Sequence, residues 1–189
     1  MRGDQAMAKL ISDYDYRFST VLDLGCGNGE HTRHFRSHGK LVTALDRMPE
    51  FGPDVVGVYE EVEFADAFDC IWSCHVLEHV RNPGLFLDKL WTDLRPRGVL
   101  AITVPPLKHN IVSGHLTLWN AGLLIYHLVL AGFDCRRAAV KTYGYNVSVI
   151  VQRGAERIVP RTRRIPDLAD YFPCSFPDGK DGRIEQVNW

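Results

Sequence analysis

Val21-Leu-Asp-Leu-Gly-Cys-Gly-Asn-Gly-Glu30 joins a short apolar run to a turn that has a glycine at every second position. The apolar half predicts a buried strand. The glycines predict a tight turn in which the backbone lies close to a ligand before a helix begins near Glu30. A second apolar run, residues 41–46, ends in Asp46. A strand, a glycine turn and an acidic residue one strand later are typical of a site for a nucleotide-type cofactor.

The spacing within this turn bears on the kind of cofactor. Glu30 stands where a dinucleotide-binding fingerprint has its third glycine, so the G-x-G-x-x-G pattern is only partly met. A pyrophosphate favours an uncharged helix N-terminus, whereas Asp23 and Glu30 suit a ligand that carries positive charge. A nucleotide-binding oxidoreductase is therefore a disfavoured alternative.

Four stretches of the chain together resemble the motifs of class I methyltransferases that use S-adenosyl-L-methionine (SAM). Residues 21–29 are similar to the glycine motif of that family, and residues 42–46 to its second strand. Residues 68–79 resemble its fourth strand and the following loop, and residues 94–105 its fifth strand. The resemblance covers residues 19–153 and implies SAM as the cofactor. It also implies an α/β fold, a Rossmann-like and mostly parallel sheet with helices on both faces and an antiparallel C-terminal edge hairpin.

The resemblance implies cofactor contacts at the ends of the predicted strands. The carboxylate of Asp46 is expected to accept hydrogen bonds from both ribose hydroxyls, although capping of a turn is the alternative role. Arg47 is expected to flank the adenine. Val58 departs from the family pattern beside the adenine amino group, so Tyr59 or Glu60 substitutes there, or Tyr59 is only a buried aromatic. The expected cofactor-binding residues are Asp23, Gly25, Cys26, Gly27, Asn28, Asp46, Arg47, Tyr59, Ser73 and Cys74.

Three histidines are candidate catalytic residues. His75 follows the predicted fourth strand, and His109 and His115 lie in the polar loop 105–115 after the fifth. An imidazole with a pKa near ~6.5 is suited to take the proton of a hydroxyl acceptor during methyl transfer. The alternatives are a hydrogen-bonded structural role for His75 and simple solvation for the loop histidines.

His75-Val-Leu-Glu-His79 also spells H-x-x-E-H, a zinc-metalloprotease pattern for which Glu156 is a distant third ligand. Five-residue matches of this kind arise by chance, and this one directly follows a predicted strand of the cofactor sheet. We therefore expect no metal.

The composition is that of an ordinary globular domain. A chain of 189 residues with 46% hydrophobic residues and a net charge of −1 gives no electrostatic indication of a nucleic-acid partner. Five cysteines, an odd number, favour reduced thiols and a cytoplasmic location. The first residues lack an apolar signal core, and the apolar stretch 121–133 is too short to span a bilayer. Neither export nor membrane insertion is expected, and the oligomeric state is not predicted.

The resemblance implies a SAM-binding domain at residues 1–153. The proline, glycine and arginine content of residues 154–189 predicts a C-terminal tail or lid there. Apolar residues such as Leu168 and Phe172 favour docking of this tail on the same domain, and the alternative is a disordered tail. Strands are predicted at 20–24, 41–46, 54–58, 69–73, 98–104, 133–141 and 145–152, and helices at 4–18, from Asn82-Pro83 and near 118–132.

The predicted function is transfer of a methyl group from SAM to a small-molecule or glycan acceptor, with a hydroxyl favoured. The acceptor class follows from the resemblance to small bacterial methyltransferases and not from particular residues. No N-P-P-Y-like signature of amide or base methylation is present. A SAM-binding regulatory or scaffold protein without catalysis is the alternative, because the cofactor motif and the acceptor loops are separate.

Overall fold

Eight strands form one sheet in the computed structural model, which describes residues 1–189. In chain order they are β1 Thr20–Leu24, β2 Leu41–Asp46, β3 Val55–Val56, β4 Phe68–Cys74, β5 Leu94–Val104, β6 Ala139–Tyr143, β7 Asn146–Gln152 and β8 Gln186–Val187. The spatial order is β3-β2-β1-β4-β5-β7-β6-β8. The first five of these are parallel, and β7, β6 and β8 are joined by antiparallel pairing. The predicted α/β fold with a mostly parallel sheet is confirmed.

Five α-helices accompany the sheet: α1 Asp4–Tyr14, α2 Glu30–Ser37, α3 Pro83–Asp93, α4 Ala121–Leu130 and α5 Ile165–Leu168. Short 3-10 helices occur at Asp15–Arg17, Pro49–Phe51, Tyr59–Glu61, Leu77–His79 and Ala169–Tyr171. None of the helices has the length and apolar character needed to cross a membrane.

The central strands are buried on both faces. Along β1, Leu22 and Leu24 belong to the larger core cluster, which α3 and α4 cover, whereas the preceding residue, Val21, belongs to the smaller cluster with α1. Along β4, Ile71 and Trp72 divide in the same way. This alternation follows from the two-residue period of a strand, and burial on both faces explains the nearly continuous apolar runs.

The strand order brings the carboxyl ends of several parallel strands to the same side of the sheet. The chain adds β2 and β3 on one side of β1 and then crosses to β4 and β5 on the other. Leu24 at the end of β1 pairs with Leu45 on one side and with Ser73 on the other. The loops after β1 and β4 therefore leave the sheet side by side, in the crevice where open α/β sheets bind their ligands.

The strand prediction was wrong for residues 133–138. Helix α4 ends where Gly132 adopts a φ of 100°, and the N–H of Ala138 then donates to the carbonyl of Cys135 in a turn. Strand β6 consequently begins only at Ala139. The β6–β7 hairpin forms as predicted, but β8 pairs with its outer strand and takes the edge of the sheet.

The tail contributes both side chains and backbone to the domain. Leu168, Phe172 and Ile184 are buried members of the larger core cluster. In β8, Val187 and Gln186 pair with Val140 and Lys141 of β6. The domain boundary at residue 153 and a function of the tail as a lid stay predictions.

Candidate functional site

The glycine turn after β1 depends on left-handed backbone conformations. Gly25, Gly27 and Gly29 have φ values of 73°, 49° and 72°, which residues with a Cβ rarely adopt. A Cβ on Gly25 would collide with the side chain of Val76 from the loop after β4. A Cβ on Gly27 would meet no atom within 4 Å. The turn is therefore packed against the neighbouring loop at its first glycine and open at its second.

Asp46 ties this turn to the end of β2. Its Oδ2 accepts from the N–H of Gly27 at 2.9 Å, and its Oδ1 accepts from the N–H of Met48 at 3.0 Å. The residue is only 9% exposed. A carboxylate has about four acceptor positions, so both oxygens keep capacity for ligand hydroxyls after these two bonds.

A cavity of about 370 Å³ lies at this edge of the sheet, and Asp46 is part of its wall. Four other candidate site residues also line it: Gly25, Arg47, Tyr59 and His75. Glu60, the alternative to Tyr59 beside the adenine, and His79 of the H-x-x-E-H stretch line it as well. No role was predicted for the remaining lining residues, which are Leu24, Leu45, Gly57, Val58, Val76, Val80, Arg81 and Phe86. The volume of the cavity falls within the range of small-molecule sites.

Three larger cavities lie elsewhere. One of about 980 Å³ is lined mainly by polar groups, including Arg97 and Arg153, at the amino end of β5. One of about 740 Å³ lies between the start of α4 and residues 182–186, and one of about 450 Å³ lies between α3, the end of α4 and residues 160–163. None of the three touches the glycine turn or Asp46. The cavity of about 370 Å³ is the candidate site because it lies where the parallel strands β1, β2 and β4 end.

Beneath the glycine turn lie polar atoms that have no partner within the protein. Asp23 is buried, and its Oδ2 accepts from the hydroxyl of Thr32 while its Oδ1 has no hydrogen bond. Burial raises the pKa of the Asp23 carboxyl, and the hydrogen bond from Thr32 acts in the opposite direction. The buried hydroxyl of Ser73 is also unpartnered. Buried polar atoms without partners are rare in folded proteins and often accompany functional sites.

The environments of Cys26, Cys74 and Asn28 are those of residues with a structural role. Burial raises the pKa of the Cys26 thiol to about 11 and that of Cys74 to about 12, so both remain protonated near neutral pH. The Oδ1 of Asn28 accepts from the N–H of Glu30 at 3.3 Å, which shapes the start of α2. None of the three lines the cavity, and their cofactor contacts stay predictions.

Tyr59 presents its ring to the cavity and its hydroxyl to the interior. The hydroxyl donates to Oδ2 of the buried Asp93 at 2.9 Å. Burial, and then the charge of Asp93, raise the pKa of Tyr59. The ring packs edge to face on Phe86, with centroids 5.2 Å apart. The Tyr59 hydroxyl is therefore not free to bind adenine, and any contact with the cofactor involves the ring.

His75 is held by hydrogen bonds on both sides of its ring. Its Nδ1 lies 3.1 Å from Oε1 of Glu78, and its Nε2 lies 3.0 Å from Oδ1 of Asn146. The N–H of Gly3 also donates to that Oδ1, which identifies it as the oxygen and makes His75 Nε2 the donor. The backbone has a φ of 59°, and its N–H donates to the carbonyl of Thr103.

These contacts bear on the catalytic prediction. With both nitrogens engaged and a side chain only 6% exposed, His75 has no free lone pair toward the cavity. Acting as a general base would require one hydrogen bond to break. The base role stays a prediction, and the observed geometry favours positioning of the loop after β4.

The other candidate histidines lie in the loop after β5. His115 stands against His79, with ring centroids 5.2 Å apart, whereas His109 is exposed. The Nδ1 of His79 donates to the carbonyl of Gly114 at 2.7 Å. The structure thus pairs His115 with the second histidine of the H-x-x-E-H stretch.

A model of the methyltransferase domain matches residues 4–154. The chain belongs to the methyltransferase domain family. Its fold is similar to that of the 1,6-didemethyltoxoflavin-N1-methyltransferase of Burkholderia thailandensis, with a TM-score of 0.65 and 21% identity. That likeness covers 79% of this chain and 77% of the other, whose crystal structure contains S-adenosylhomocysteine. The predicted class I SAM-dependent methyltransferase domain, an enzyme domain with SAM as cofactor, is confirmed at the level of the family.

Curated relatives extend the comparison to other acceptors. The malonyl-[acyl-carrier protein] O-methyltransferase of Enterobacter lignolyticus is 34% identical over 111 residues, which is 53% of this chain and 43% of that protein. The tRNA U34 carboxymethyltransferase of Pseudoalteromonas translucida is 36% identical over 100 residues, 44% of this chain and 31% of that protein. The matched part of this methyltransferase domain thus spans less than half the length of either relative.

Proposed function

We propose that this methyltransferase domain binds SAM in the cavity of about 370 Å³ and transfers its methyl group to an oxygen nucleophile of a small-molecule or glycan acceptor. The observation that carries the cofactor assignment is Asp46, a carboxylate fixed at the end of β2 by the N–H of Gly27 and facing the cavity. Two vicinal ribose hydroxyls suit such a carboxylate, because each can donate one hydrogen bond to it.

The other features of the cavity fit the same cofactor. Val58 and Phe86 offer apolar surface suited to the faces of an adenine ring. Gly27 leaves the space above the turn free, and the buried carboxyl of Asp23 below it has an oxygen without a partner, which suits a hydrogen-bond donor such as an ammonium group. A dinucleotide pyrophosphate would instead meet Glu30, at the start of α2.

SAM supplies an electrophilic methyl group when it is bound. The contribution of the protein is to orient that group and the acceptor oxygen and to exclude water. Alignment of two reactants accounts for ~7–11 kcal/mol of a barrier, whereas a general base contributes ~10²–10⁴-fold, or about 3–5 kcal/mol. Catalysis here therefore rests first on the rigid turn and the loop after β4. A free histidine base is a smaller contribution.

The acceptor is proposed to enter between the loops after β4 and β5. These loops supply His75, His79 and His115, and the first two line the cavity. An oxygen acceptor agrees with the name of the malonyl-[acyl-carrier protein] O-methyltransferase. The tRNA U34 enzyme represents a different acceptor class. Five arginines that would suit a nucleic-acid backbone surround the cavity of about 980 Å³ at the amino end of β5, whereas two, Arg47 and Arg81, line the cavity that contains Asp46.

Calorimetry with SAM and with NAD tests the cofactor, and a coupled assay of S-adenosylhomocysteine release tests the reaction. The acceptor panel contains hydroxyl, carboxyl and amine compounds, with a tRNA mixture as the nucleic-acid member. We expect SAM binding, no NAD binding and turnover with an oxygen acceptor. Tight NAD binding without SAM binding would overturn the cofactor assignment. SAM binding without turnover on any acceptor would favour the regulatory or scaffold alternative.

A further inference from the structure

Three metal-ligating side chains meet beside the cofactor cavity. Glu78 and His79 belong to the 3-10 helix after β4, and His115 comes from the loop after β5. One ligand atom from each of the three lies within 4.8 Å of the others. We propose that Glu78, His79 and His115 bind one divalent transition-metal ion of the zinc class at the mouth of the cavity.

The orientation of His79 is that of a metal ligand. Its Nδ1–H donates to the carbonyl of Gly114 at 2.7 Å, so the lone pair lies on Nε2. That Nε2 is 3.8 Å from Oε1 of Glu78. Two ligands of a tetrahedral zinc, each ~2.0–2.2 Å from the ion, are about 3.4 Å apart. A shift of a few tenths of an ångström brings this pair to coordination distance.

The second, independent observation concerns Glu78. The residue is 1% exposed, and its Oε1 contacts His75 Nδ1 while its Oε2 has no hydrogen-bond partner. A carboxylate oxygen buried without a partner is costly, and it persists where an ion or another ligand completes it. Glu78 therefore places a buried carboxylate in this cluster, with Oε1 3.8 Å from Nε2 of His79 and Oε2 without a partner.

The surrounding hydrogen bonds hold the two loops together without any ion. The N–H groups of Leu116 and Thr117 donate to the carbonyl of Glu78 at 2.7 and 3.2 Å. The hydroxyl of Thr117 donates to the carbonyl of Leu77 and accepts from the indole N–H of Trp119. These bonds fix the segment that follows His115 on the 3-10 helix that carries the other two ligands. Such support is what orients the ligands in metal sites.

This trio differs from the H-x-x-E-H reading that the sequence analysis set aside. His75 has a left-handed φ of 59°, so it does not share a helical face with His79, and its Nε2 is bound to Asn146. Glu156 follows the end of β7, which pairs with the beginning of β5. It therefore lies near the amino ends of the parallel strands, whereas His79 lies near their carboxyl ends. The sequence led us to expect no metal, and the present proposal departs from that expectation. The third ligand of the proposed site is His115, not Glu156.

Three protein ligands leave a coordination position open, as in catalytic zinc sites. His79 is also part of the cavity wall, so an acceptor oxygen can reach that position. The ion would hold and polarise the oxygen, which removes the need for a free imidazole at His75. This acceptor role rests on the proposed function, whereas metal binding itself does not.

The test is titration of the untagged, chelator-treated protein with Zn²⁺ by calorimetry and with Co²⁺ by visible absorption. A surface pair at the C-terminal end of α2, His34 and the C-cap residue His38, has ring centroids 4.6 Å apart and is a competing site. The titrations are therefore made in a His38→Ala background. We expect one ion per chain and the intense d–d bands of tetrahedral cobalt. His115→Ala should weaken binding by at least ~10–100-fold, and His109→Ala, from the same loop, should leave it unchanged.

Thermal melting and SAM affinity show whether each variant is folded. Glu78→Gln removes a buried charge and is informative only when these two measurements match the background protein; the decision rests on His115→Ala, a loop position. The proposal is overturned when the His38→Ala protein binds no ion, or when His115→Ala leaves the zinc affinity and the cobalt spectrum unchanged. Loss of SAM binding by the metal-free background protein would count against the proposed function and not against the metal site.

Discussion

Substitution of Asp46 by alanine is the sharpest test of the cofactor site. The carboxylate accepts two backbone hydrogen bonds, from Gly27 and Met48, and is proposed to accept two more from the ribose of SAM. The substitution therefore removes both the ligand contact and the anchor of the glycine turn. These two effects are separable because the first appears only in binding and the second also appears in stability.

The expected magnitudes follow from the number and kind of bonds. A hydrogen bond to a charged group contributes about 1.5–3 kcal/mol, so loss of the ribose contacts should weaken SAM by roughly tenfold to a hundredfold or more. The two backbone donors lie at the edge of the sheet, and water can replace their acceptor. A net cost of about 1 kcal/mol then lowers the melting temperature by roughly 2–4 °C.

Calorimetry with SAM is the assay, with thermal melting on the same samples. Glu50→Ala is the matched control, because it removes an exposed carboxylate from the 3-10 helix that follows Asp46. The control should bind SAM as the parent protein does. A folded Asp46→Ala protein with unchanged SAM affinity would refute the ribose assignment. A melting temperature lowered by far more than a few degrees would show instead that the carboxylate acts mainly on the turn.

Four further outcomes are expected. Gly27→Val should abolish SAM binding in calorimetry, because the branched side chain occupies the open space above a turn with a φ of 49°; normal binding in a protein that only melts earlier would contradict this. Tyr59→Phe should keep its SAM affinity but lose about 1–3 kcal/mol of unfolding free energy in denaturant titrations, because its hydroxyl serves a buried carboxylate and not the cavity. His75→Ala should leave SAM affinity nearly intact and lower turnover. If His75 is the base, turnover should fall by ~10²–10⁴-fold in His75→Ala and stay undiminished in Asn146→Ala, which frees Nε2. If His75 only positions the loop, both variants should lose turnover. Cys74 should resist iodoacetamide at pH 8 in mass spectrometry, because its pKa of about 12 keeps the thiol protonated well above that pH, and rapid labelling would show that the thiol is less buried than described.

The features that sequence predicts well are local ones. β1, the glycine turn and β2 occupy the predicted residues. An apolar run of strand length and a glycine-rich turn can be recognised from the neighbouring residues alone. Residues 133–138 place the apolar Phe133 and Cys135 two positions apart, as a strand does, yet the segment after the left-handed Gly132 forms a turn with Arg136 and Arg137 exposed. A short alternating pattern alone does not distinguish a partly buried turn from a strand.

The features that sequence misses depend on distant partners. Asn146 is 71 positions from His75, and it is this contact that engages the second nitrogen of the candidate base. Tyr59 and Asp93 are 34 positions apart, and their bond turns the tyrosine hydroxyl away from the cavity. Strand β8 has only two residues and is recognised as a strand by its pairing with β6. No spacing rule connects such residues, whose proximity follows from the order of the strands.

The two halves of the site are built differently, and this bears on what each determines. The cofactor half runs from β1 to Asp46 and is held by bonds such as those of Gly25 and Cys26 N–H to the carbonyl of Leu45. The other half assembles the loops after β4 and β5 and the β6–β7 hairpin, and here side-chain contacts such as that of His75 with Asn146 supplement the backbone bonds. His75 connects these segments, since its backbone N–H donates to the carbonyl of Thr103 in β5 while its ring contacts Asn146 of the hairpin. Backbone bonds tolerate most side-chain changes, whereas side-chain contacts do not. We therefore infer that SAM binding is fixed by the first half and acceptor choice by the second.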